Sequence, residues 1–349
     1  MKKNLIAIVV GAAAAMPALA MAADVSVYGR VHVSVDYLDD GADYSETNIS
    51  SNSSRLGFKG SRDLESMKAF FQIEQEVNIS NNGTSDTLTT RDTFVGLSGD
   101  FGMFRLGRFD TPFKTARGPA NIFGDMVGDM RNLTRVGNAR FDERTPNTIH
   151  YQTPKFGGLA GNIAYSLHEG TTNDDGTNNK DKDDAISLSL TYAEGPFDAA
   201  IAYESYSEDA ERGDRKAWRT ALGYKVTDAV KVVGFYQNVD YKAGVQAVQD
   251  ANTSDTWGLG ADFKVAPKTY LRGMWMTRDA DLDDSKSNML AVGVEHRLDS
   301  ALRVYANYAV VSNDDNVALN PWSQGRTAAR AGAAGENAKG FSTGLRYDF

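Results

Sequence analysis

Apolar and polar residues alternate along this chain with a period of two, in short runs that begin at Val25 and recur as far as Phe349. Alternation of this kind places the two sets of side chains on opposite faces of a β-strand. In the first run the apolar face is Val25, Val27, Gly29, Val31, Val33, Val35 and Tyr37, and the polar face is Ser26, Tyr28, Arg30, His32, Ser34 and Asp36. The chain is therefore predicted to be all-β.

About sixteen such runs can be counted, each close to the roughly 9–11 residues that a tilted membrane strand requires. The connections between them alternate in length, so long and short connections should gather at opposite ends of a barrel. The short ones include Ala193–Pro196, Thr227–Ala229, Ala266–Lys268 and Asp299–Ala301. The long ones include Thr171–Asp184, Ser207–Asp214, Lys242–Asp255 and Ser312–Asn337, which we interpret as extracellular loops.

The polar faces of these runs carry full charges, as Lys68, Glu74 and Glu76 illustrate. A soluble β-sandwich or propeller also alternates, but its dry core would not accept such residues. The apolar faces often end in Tyr, Trp or Phe, which is typical of the aromatic girdle of a membrane barrel. A transmembrane antiparallel β-barrel with lipid outside and water inside is the favoured architecture.

The first 22 residues have the organisation of a secretory signal peptide. Lys2 and Lys3 precede an apolar stretch from Leu5 to Leu19, and Ala20-Met21-Ala22 fits a cleavage site. The alternative, an N-terminal membrane anchor, would need about 20 apolar residues. We therefore expect residues 1–22 to be a signal peptide and residues 23–349 to form one barrel, exported to the cell outer membrane.

Composition narrows the functional classes. The 349 residues contain no cysteine and carry a formal net charge of -9, which argues against nucleic acid as a partner. The four histidines lie far apart in sequence, without a metal-ligand motif or a nucleophile elbow. We expect no metal, no cofactor and no enzymatic activity. An outer-membrane barrel enzyme such as a phospholipase is the rival hypothesis, with His296 as its only outward histidine.

Several stretches, in order along the mature chain, resemble the general diffusion porins of Gram-negative outer membranes, especially the neisserial-type branch. They are Val27-Tyr28-Gly29-Arg30, Ser54 to Gly60, Lys68 to Glu74, Arg91 to Leu97, Phe101 to Arg108, Asn147 to Pro154 and Gly344 to Phe349. The resemblance implies a sixteen-stranded antiparallel barrel, assembled as a homotrimer, whose third long loop folds inward. Its water-filled channel would pass ions and small hydrophilic solutes by passive diffusion.

The counterpart of the third loop is Asp110 to about Thr145. Its acidic residues, with Asp125 and Asp129 foremost and Asp142 and Glu143 nearby, would form one wall of a constriction. The family's Pro-Glu-Phe-Gly-Gly stretch is absent, and Ile122-Phe123-Gly124-Asp125 stands nearest to it.

By the same resemblance, the opposite wall of the constriction would be basic. Its candidates are Arg30, Arg55, Arg91, Arg108 and Arg144, with Lys59 as a further lumen-facing cation. Placing a cation at midplane lipid would cost about 2–4 kcal/mol, which favours the lumen for those on the polar parity of their strands. For any single arginine, a salt bridge or a position near the rim is the alternative. The sequence leaves the preferred sign of the permeating ion open.

Further partners follow from the resemblance. Chains of the family end in an aromatic residue, which resembles the signal that the outer-membrane barrel assembly machinery reads. Phe349 matches this terminal residue. Acidic residues near Asp174 and Asp184 would share divalent cations with lipopolysaccharide, or else would simply be solvated. A channel specific for sugars or peptides is the alternative to general diffusion, and would need a ladder of inward aromatic residues such as Tyr28, Tyr270 and Tyr305.

Overall fold

The structure, a computed structural model, describes residues 24–80, 88–167, 184–207, 212–324 and 332–349. The predicted signal peptide and most of the acidic stretch near Asp174 lie outside these residues, so those two predictions stand as predictions. No helix within the described ranges is long and apolar enough to cross a membrane.

Antiparallel strands make up most of the described chain. They are β1 (Asp24–Asp39), β2 (Ser45–Ser51), β3 (Arg55–Asp63), β4 (Met67–Val77), β5 (Leu88–Gly99), β6 (Gly102–Asp110), β7 (Arg144–Gln152), β8 (Leu159–Ser166), β9 (Asp184–Glu194), β10 (Phe197–Ser207), β11 (Arg215–Thr227), β12 (Val230–Tyr241), β13 (Ser254–Ala266), β14 (Thr269–Ala280), β15 (Ser287–Arg297), β16 (Leu302–Asn313) and β17 (Asn337–Asp348). Three short α-helices occur in loops of the described chain, α1 (Pro112–Thr115), α2 (Arg131–Thr134) and α3 (Gln246–Asn252), together with a 3-10 helix at Gly118–Ala120.

The strands close into a barrel. From β3 onward each pairs with the next one along the chain, and β1 pairs with β17, from Arg30 opposite Asp348 to Asp39 opposite Lys339. Closure leaves no open sheet edge, which is the requirement for backbone polar groups surrounded by lipid. The backbone of Phe349 extends the closure, because its N–H and C=O both bond to Gly29, at 3.0 and 2.9 Å.

The barrel has sixteen strands, as predicted, although seventeen segments are counted. Both β2 and β3 pair with β1, one above the other, so they are two halves of a single barrel strand. The interruption, residues 52–54, is buried and hydrogen-bonded to inner side chains. Asn52 Nδ2 donates to Ser34 Oγ at 2.9 Å, and Ser54 Oγ donates to the carbonyl of His32 at 3.1 Å.

The two faces of the wall follow the predicted alternation. On β10, Ile201 is 47% exposed on the outside while Ala202 is 2% exposed on the inside. The same contrast recurs around the barrel, where large apolar side chains such as Trp218, Leu259 and Leu290 point outward. An apolar belt accessible from outside a closed barrel is the surface that lipid covers.

Connections also segregate by length as predicted. Two-residue turns join β9 to β10 and β11 to β12, at the same end as Asp24 and Phe349. The long connections lie at the opposite end. Outer-membrane barrels place their short turns in the periplasm and their long loops outside the cell.

Candidate functional site

The long connection between β6 and β7, residues 111–143, runs through the inside of the barrel. It follows the fifth barrel strand and is the third long loop, in the position that the sequence predicted. Thr111 caps α1 by accepting the Lys114 N–H at 3.2 Å, and Pro112 occupies the first helical position, where its missing N–H costs nothing. We call this segment the third loop.

Hydrogen bonds between the third loop and the barrel strands hold the loop against one side of the lumen. The contacts are Phe113 N to Ser187 Oγ at 3.0 Å, Arg219 Nη1 to Phe113 O at 2.9 Å, Gln237 Nε2 to Thr134 O at 2.8 Å, Lys231 Nζ to Pro119 O at 3.1 Å and Arg272 Nη1 to Ile122 O at 3.3 Å. Backbone carbonyls that would be unpaired in the interior are satisfied in this way.

An apolar core lies within the barrel, between the third loop and the inner faces of β11 to β17. Phe123, Val127 and Met130 of the loop contact small and flexible side chains of the wall, such as Ala291 and Met276. All are at most 1% exposed. The burial fixes the loop to one side, so the remaining lumen is confined to the other.

The connection between β16 and β17 also enters the barrel, which the sequence did not predict. Trp322 is fully buried in the same core. The Gly128 N–H donates to Pro321 O at 2.8 Å, and Gln324 N donates to Asn132 Oδ1 at 3.1 Å. This last loop therefore covers the third loop from above.

Two water-accessible cavities remain beside the third loop. The upper cavity, toward the long loops, has a volume of about 470 Å³, and the lower cavity, toward the short turns, has about 300 Å³. Asp125 lines both of them, so the two spaces meet at this residue.

Cations outnumber carboxylates in both cavities. The upper cavity has eight of them, Arg55, Arg91, Arg108, Lys114, Arg117, Arg131, Arg135 and Arg144, and five carboxylates, Glu76, Asp110, Asp125, Asp142 and Glu143. The lower cavity has six, Arg30, Lys231, Arg272, Arg297, Arg303 and Arg346, and three carboxylates, Asp125, Asp262 and Glu295.

All five predicted arginines of the basic wall line these cavities, Arg30 in the lower one and the other four in the upper one. Their pairing differs. Arg91 is held by Glu74 and Glu76 at 2.5 and 2.6 Å, whereas Arg55 lies 3.9 Å from its carboxylate, Glu74.

The remaining three arginines also differ in pairing. Arg144 contacts Asp92, and Asp110 at 2.7 Å. Arg30 contacts Asp348 at 2.6 Å and reaches to 3.9 Å from Asp125. Arg108 forms no ion pair with any residue that the structure describes.

A β-bulge turns Arg91 inward. The register between β4 and β5 passes from Ile73 opposite Thr93 to Gln75 opposite Thr90, so two residues of β5, Arg91 and Asp92, face one residue of β4. Simple alternation would have sent one of the pair to the lipid face. The adjacent charges of Arg91 and Asp92 are the sequence signal of this irregularity.

Asp125 and Asp129 occupy different environments. Asp125 adopts a positive φ of 63° and contacts Arg131 Nη2 at 2.7 Å, and its side chain is 21% exposed. Asp129 is fully buried and accepts the N–H groups of Asp125 and Arg131, at 2.7 and 2.8 Å. Asp129 lines neither cavity, because its oxygens are used to hold Asp125 and Arg131 in place.

The charges of the third loop are also ion-paired. Burial on its own would raise the pKa of Asp125, but the guanidiniums of Arg131 and Arg55 overcome this and hold it well below its usual range. For Asp142, burial is likewise outweighed, here by Arg219 and Arg117, so its pKa is also lowered. Both carboxylates are ionised in the physiological range.

Positive and negative groups are not segregated into two walls. The third loop contributes Lys114, Arg117, Arg131 and Arg135 to the upper cavity together with its carboxylates. Cations consequently surround the water path. The sequence prediction covered only the acidic residues of this loop and missed its basic ones, although the loop contains five basic and four acidic residues.

Two further predicted residues lie outside the cavities. Lys59 has its Nζ 5.1 Å from the centre of the Tyr28 ring, on the inward parity of β3. Phe349 packs its ring over Gly29, where a Cβ would come within 2.4 Å of the ring, so only glycine fits beneath it.

The tyrosines that a sugar or peptide channel would use do not form a ladder. Tyr28 donates to Glu74 at 2.9 Å, and Tyr305 is 4% exposed within a hydrogen-bond network with His32. His296 lies on the outer face, with its Nδ1 2.9 Å from Thr269 Oγ1. No group of residues that could hold a metal ion is found within the described ranges.

A closed sixteen-stranded barrel with a lipid-facing exterior, an inward loop and a charged aqueous interior is an outer-membrane diffusion channel. The chain belongs to the Gram-negative porin family, whose model matches residues 7–316. Members of this family are channels and not enzymes, so the enzymatic alternative is excluded.

Individual relatives agree with this assignment. Outer membrane porin protein 32 of Delftia acidovorans is 29% identical over 368 residues, covering 100% of both chains. A major outer membrane protein P.IB of Neisseria gonorrhoeae is 30% identical over 328 residues, covering 85% of this chain and 89% of the relative. The solved anion-selective porin from Comamonas acidovorans superposes with a TM-score of 0.77 at 25% identity, over 94% of this chain and 100% of that one.

Proposed function

We propose that this porin conducts anions in preference to cations. The observation that carries the proposal is the excess of cations among the side chains that line the cavities, eight against five in the upper one and six against three in the lower one. Carboxylates behind this lining, such as Glu74 and Asp348, reduce the excess. Since the two cavities meet at Asp125, a permeating ion would encounter this excess along most of its path.

The lining of the lumen contains more cations than carboxylates, whereas the whole chain has a formal net charge of -9. Selectivity depends on the potential at the narrow part of the path, where low-dielectric walls focus the field of nearby charges. Charges on the distant rim are screened over about 10 Å at 0.1 M salt. The lumen therefore decides the sign of the permeating ion.

The most cation-rich part of the path is proposed to be the constriction. Its cations would include Arg30, Arg55, Arg91, Arg108 and Arg144, which stay charged at all working pH values. Its acidic member on the third loop is Asp125, while Asp129 is a positioning residue for it. Solutes would be filtered by size and by polarity, because an apolar solute must displace water ordered by these charges.

The solved porin from Comamonas acidovorans is an anion-selective protein, and it is similar to this chain in sequence and fold. The Vibrio cholerae outer membrane protein OmpT has been solved in a trimer form. We propose that this chain also assembles as a homotrimer, after removal of residues 1–22 as a signal peptide. Insertion would depend on the outer-membrane barrel assembly machinery and on contacts with lipid and lipopolysaccharide.

Replacement of Arg55 and Arg108 tests the proposed selectivity. Neither residue forms a short ion pair with a described residue, so Arg55→Gln/Arg108→Gln removes two cations without leaving a carboxylate newly buried and unpaired. One charge about 4 Å from an ion contributes ~1 kcal/mol in water, or about fivefold, so the loss of two charges should lower the anion-to-cation permeability ratio by about fivefold to 25-fold. Reversal potentials in planar bilayers with asymmetric KCl measure this ratio.

Arg62→Gln is the matched control. Arg62 lies on the same strand as Arg55 but is exposed at the short-turn end and lines neither cavity. It should leave the reversal potential unchanged. An unchanged ratio in the double variant, or an equal change in the control, would contradict the assignment of the constriction.

A further inference from the structure

We propose that the lower cavity contains a separate binding subsite for small multivalent anions, built on a row of three arginines. These residues, Arg297, Arg303 and Arg346, are called the arginine row. The inference rests on the proposed anion conduction and extends it, because it assigns a ligand class to a place in the lumen beyond the constriction.

The strand register puts the three residues directly beside one another. Arg297 of β15 is opposite Arg303 of β16, and Arg303 is in turn opposite Arg346 of β17. All three share the inward parity of their strands, with Glu295 and Tyr305 as buried neighbours two positions away. Like charges directly opposite each other destabilise a sheet, so such a row needs compensation.

Carboxylates of the protein compensate the row only in part. Glu295 lies 2.9 Å from Arg297 and 3.3 Å from Arg272, and 4.0 Å from Arg303. Asp348 lies 2.9 Å from Arg346 and 3.4 Å from Arg303.

Asp348 is also bound by Arg30, at 2.6 Å. Of the five guanidiniums around these two carboxylates, Arg272 also reaches Asp262 at 3.7 Å and Arg30 reaches Asp125 at 3.9 Å. The three guanidiniums of the row have only Glu295 and Asp348 within 4 Å among the described carboxylates, so positive charge is left over at the row. The Nε–H of Arg303 finds no acceptor among the described residues.

The row faces water. Its side chains are 41%, 20% and 19% exposed for Arg297, Arg303 and Arg346, and all three line the lower cavity of about 300 Å³. Arg297 also stacks on Tyr270, 4.2 Å from the ring centre, so its guanidinium is held in place before a ligand arrives.

The geometry points to the ligand class. Guanidiniums bind carboxylate and phosphate oxygens through paired N–H donors, and several fixed guanidiniums favour an anion that carries more than one charge. A chloride ion neutralises one positive charge, whereas a small anion with two or more charges neutralises several at once. The lower cavity therefore provides a subsite on the short-turn side of Asp125, where such an anion pauses before it leaves the channel.

Calorimetric titration of the refolded protein in detergent with inorganic pyrophosphate tests the subsite. Wild-type protein should bind pyrophosphate, and Arg303→Gln/Arg346→Gln should weaken this binding by at least about tenfold, since two charge-assisted contacts are lost. Both carboxylates keep other arginine partners in the variant, and Arg303→Gln alone serves if the double variant does not refold.

Two control variants distinguish binding at the arginine row from a general effect of positive charge and from binding in the upper cavity. Lys225→Gln/Lys264→Gln removes the same charge from inward positions near the same end that do not line the lower cavity, and Arg55→Gln/Arg108→Gln alters the upper cavity only. Both should retain the pyrophosphate binding at the row. Absence of binding by the wild type, or equal weakening in either control, would overturn the subsite.

Failure of the pyrophosphate subsite and failure of the proposed anion selectivity would give different experimental results. A wild-type channel that prefers anions in asymmetric KCl but binds no pyrophosphate overturns the subsite alone. A protein that binds pyrophosphate through the row yet prefers cations overturns the proposed selectivity alone.

Discussion

Asp125 is the residue on which the two cavities of the lumen converge. Its backbone has the left-handed φ of 63°, and its carboxylate contacts Arg131 at 2.7 Å while Ser53 Oγ donates to it at 3.4 Å. Asp129, behind it, accepts its N–H. A negative charge is thereby fixed in a path whose lining has more cations than carboxylates, where it would moderate the proposed attraction for anions.

Removal of this charge should strengthen anion preference. Asp125→Asn is expected to raise the anion-to-cation permeability ratio by about fivefold, from the loss of ~1 kcal/mol of Coulomb interaction at about 4 Å in water. Because neighbouring arginines hold the pKa of Asp125 below its usual range, the group stays ionised in mild acid.

The difference between Asp125→Asn and wild type should therefore be the same at about pH 4 as at pH 7, measured from reversal potentials. An Asp of ordinary pKa, about 3.9, would lose roughly half of the difference at the lower pH. That result would contradict the proposed environment of Asp125.

Sequence alone could identify Asp125 and Asp129 as loop carboxylates but could not separate their roles. Both are acidic residues in the same glycine-containing segment, and only the backbone path decides which one faces water. The position of the five predicted arginines inside the barrel was predictable, by parity for Arg30 and Arg55 and by resemblance for the others. The arginine row went unnoticed, although Arg303 lies between the outward residues Leu302 and Val304 and so has inward parity.

At the scale of elements, the third loop depends on a buried ion pair at its C-terminal end. Asp142 and Arg219 are both fully buried, and Arg219 also bonds to Gln237 Oε1 at 3.0 Å. A buried guanidinium that loses its carboxylate is left as an uncompensated charge, which typically costs about 3–5 kcal/mol. This pair therefore resists displacement of the loop.

Asp142→Asn should loosen the third loop. We expect a lower denaturation temperature and more frequent fluctuations of the single-channel current. The folded-state pKa of Asp142 is depressed, so its stabilisation is present above the ordinary Asp pKa of about 3.9 and is lost only as the pH falls through the lower folded value. The effect of the substitution should consequently be the same at pH 7 and at about pH 5.

Asp240→Asn is the control for this variant, since Asp240 pairs with Lys216 at 2.9 Å but both side chains are exposed. Exposed pairs contribute little, about 0–1 kcal/mol. Quiet channels and an unchanged denaturation temperature in Asp142→Asn would refute the anchoring role.

The last strand combines closure of the barrel with a proposed assembly signal at Phe349. Phe349→Ala keeps the backbone bonds to Gly29 but removes the ring. If the ring is read by the assembly machinery, insertion in cells should fall severalfold while refolding into detergent proceeds nearly as in the wild type. Phe341→Ala, on the outward face of the same strand, is the control. Normal insertion of Phe349→Ala in cells would remove the signal role.

Elements were predictable from sequence where alternation is regular, which covers nearly all of the wall. The exceptions have a common physical cause. The break between β2 and β3, the bulge at Arg91 and Asp92 and the burial of Trp322 all depend on contacts between segments distant in sequence. Period-two alternation reports the environment of each face and carries no information about such contacts.

At the scale of the whole molecule, the apolar exterior and the charged interior perform separate functions. The outward belt, with side chains such as Trp218 and Leu259 exposed, suits lipid, and the closed sheet satisfies the backbone there. The interior gathers cations in a chain that is negative overall. In the proposed function, location and selectivity are thus specified by alternate residues of the same strands.

The most direct test of anion conduction through this lumen is the reversal potential of single wild-type channels in asymmetric KCl. We predict water-filled channels that close in three steps, as expected for a trimer, with a reversal potential whose sign reports preference for chloride. A reversal potential of the opposite sign, or one at zero, would contradict the conclusion that the cation-rich lumen governs what passes.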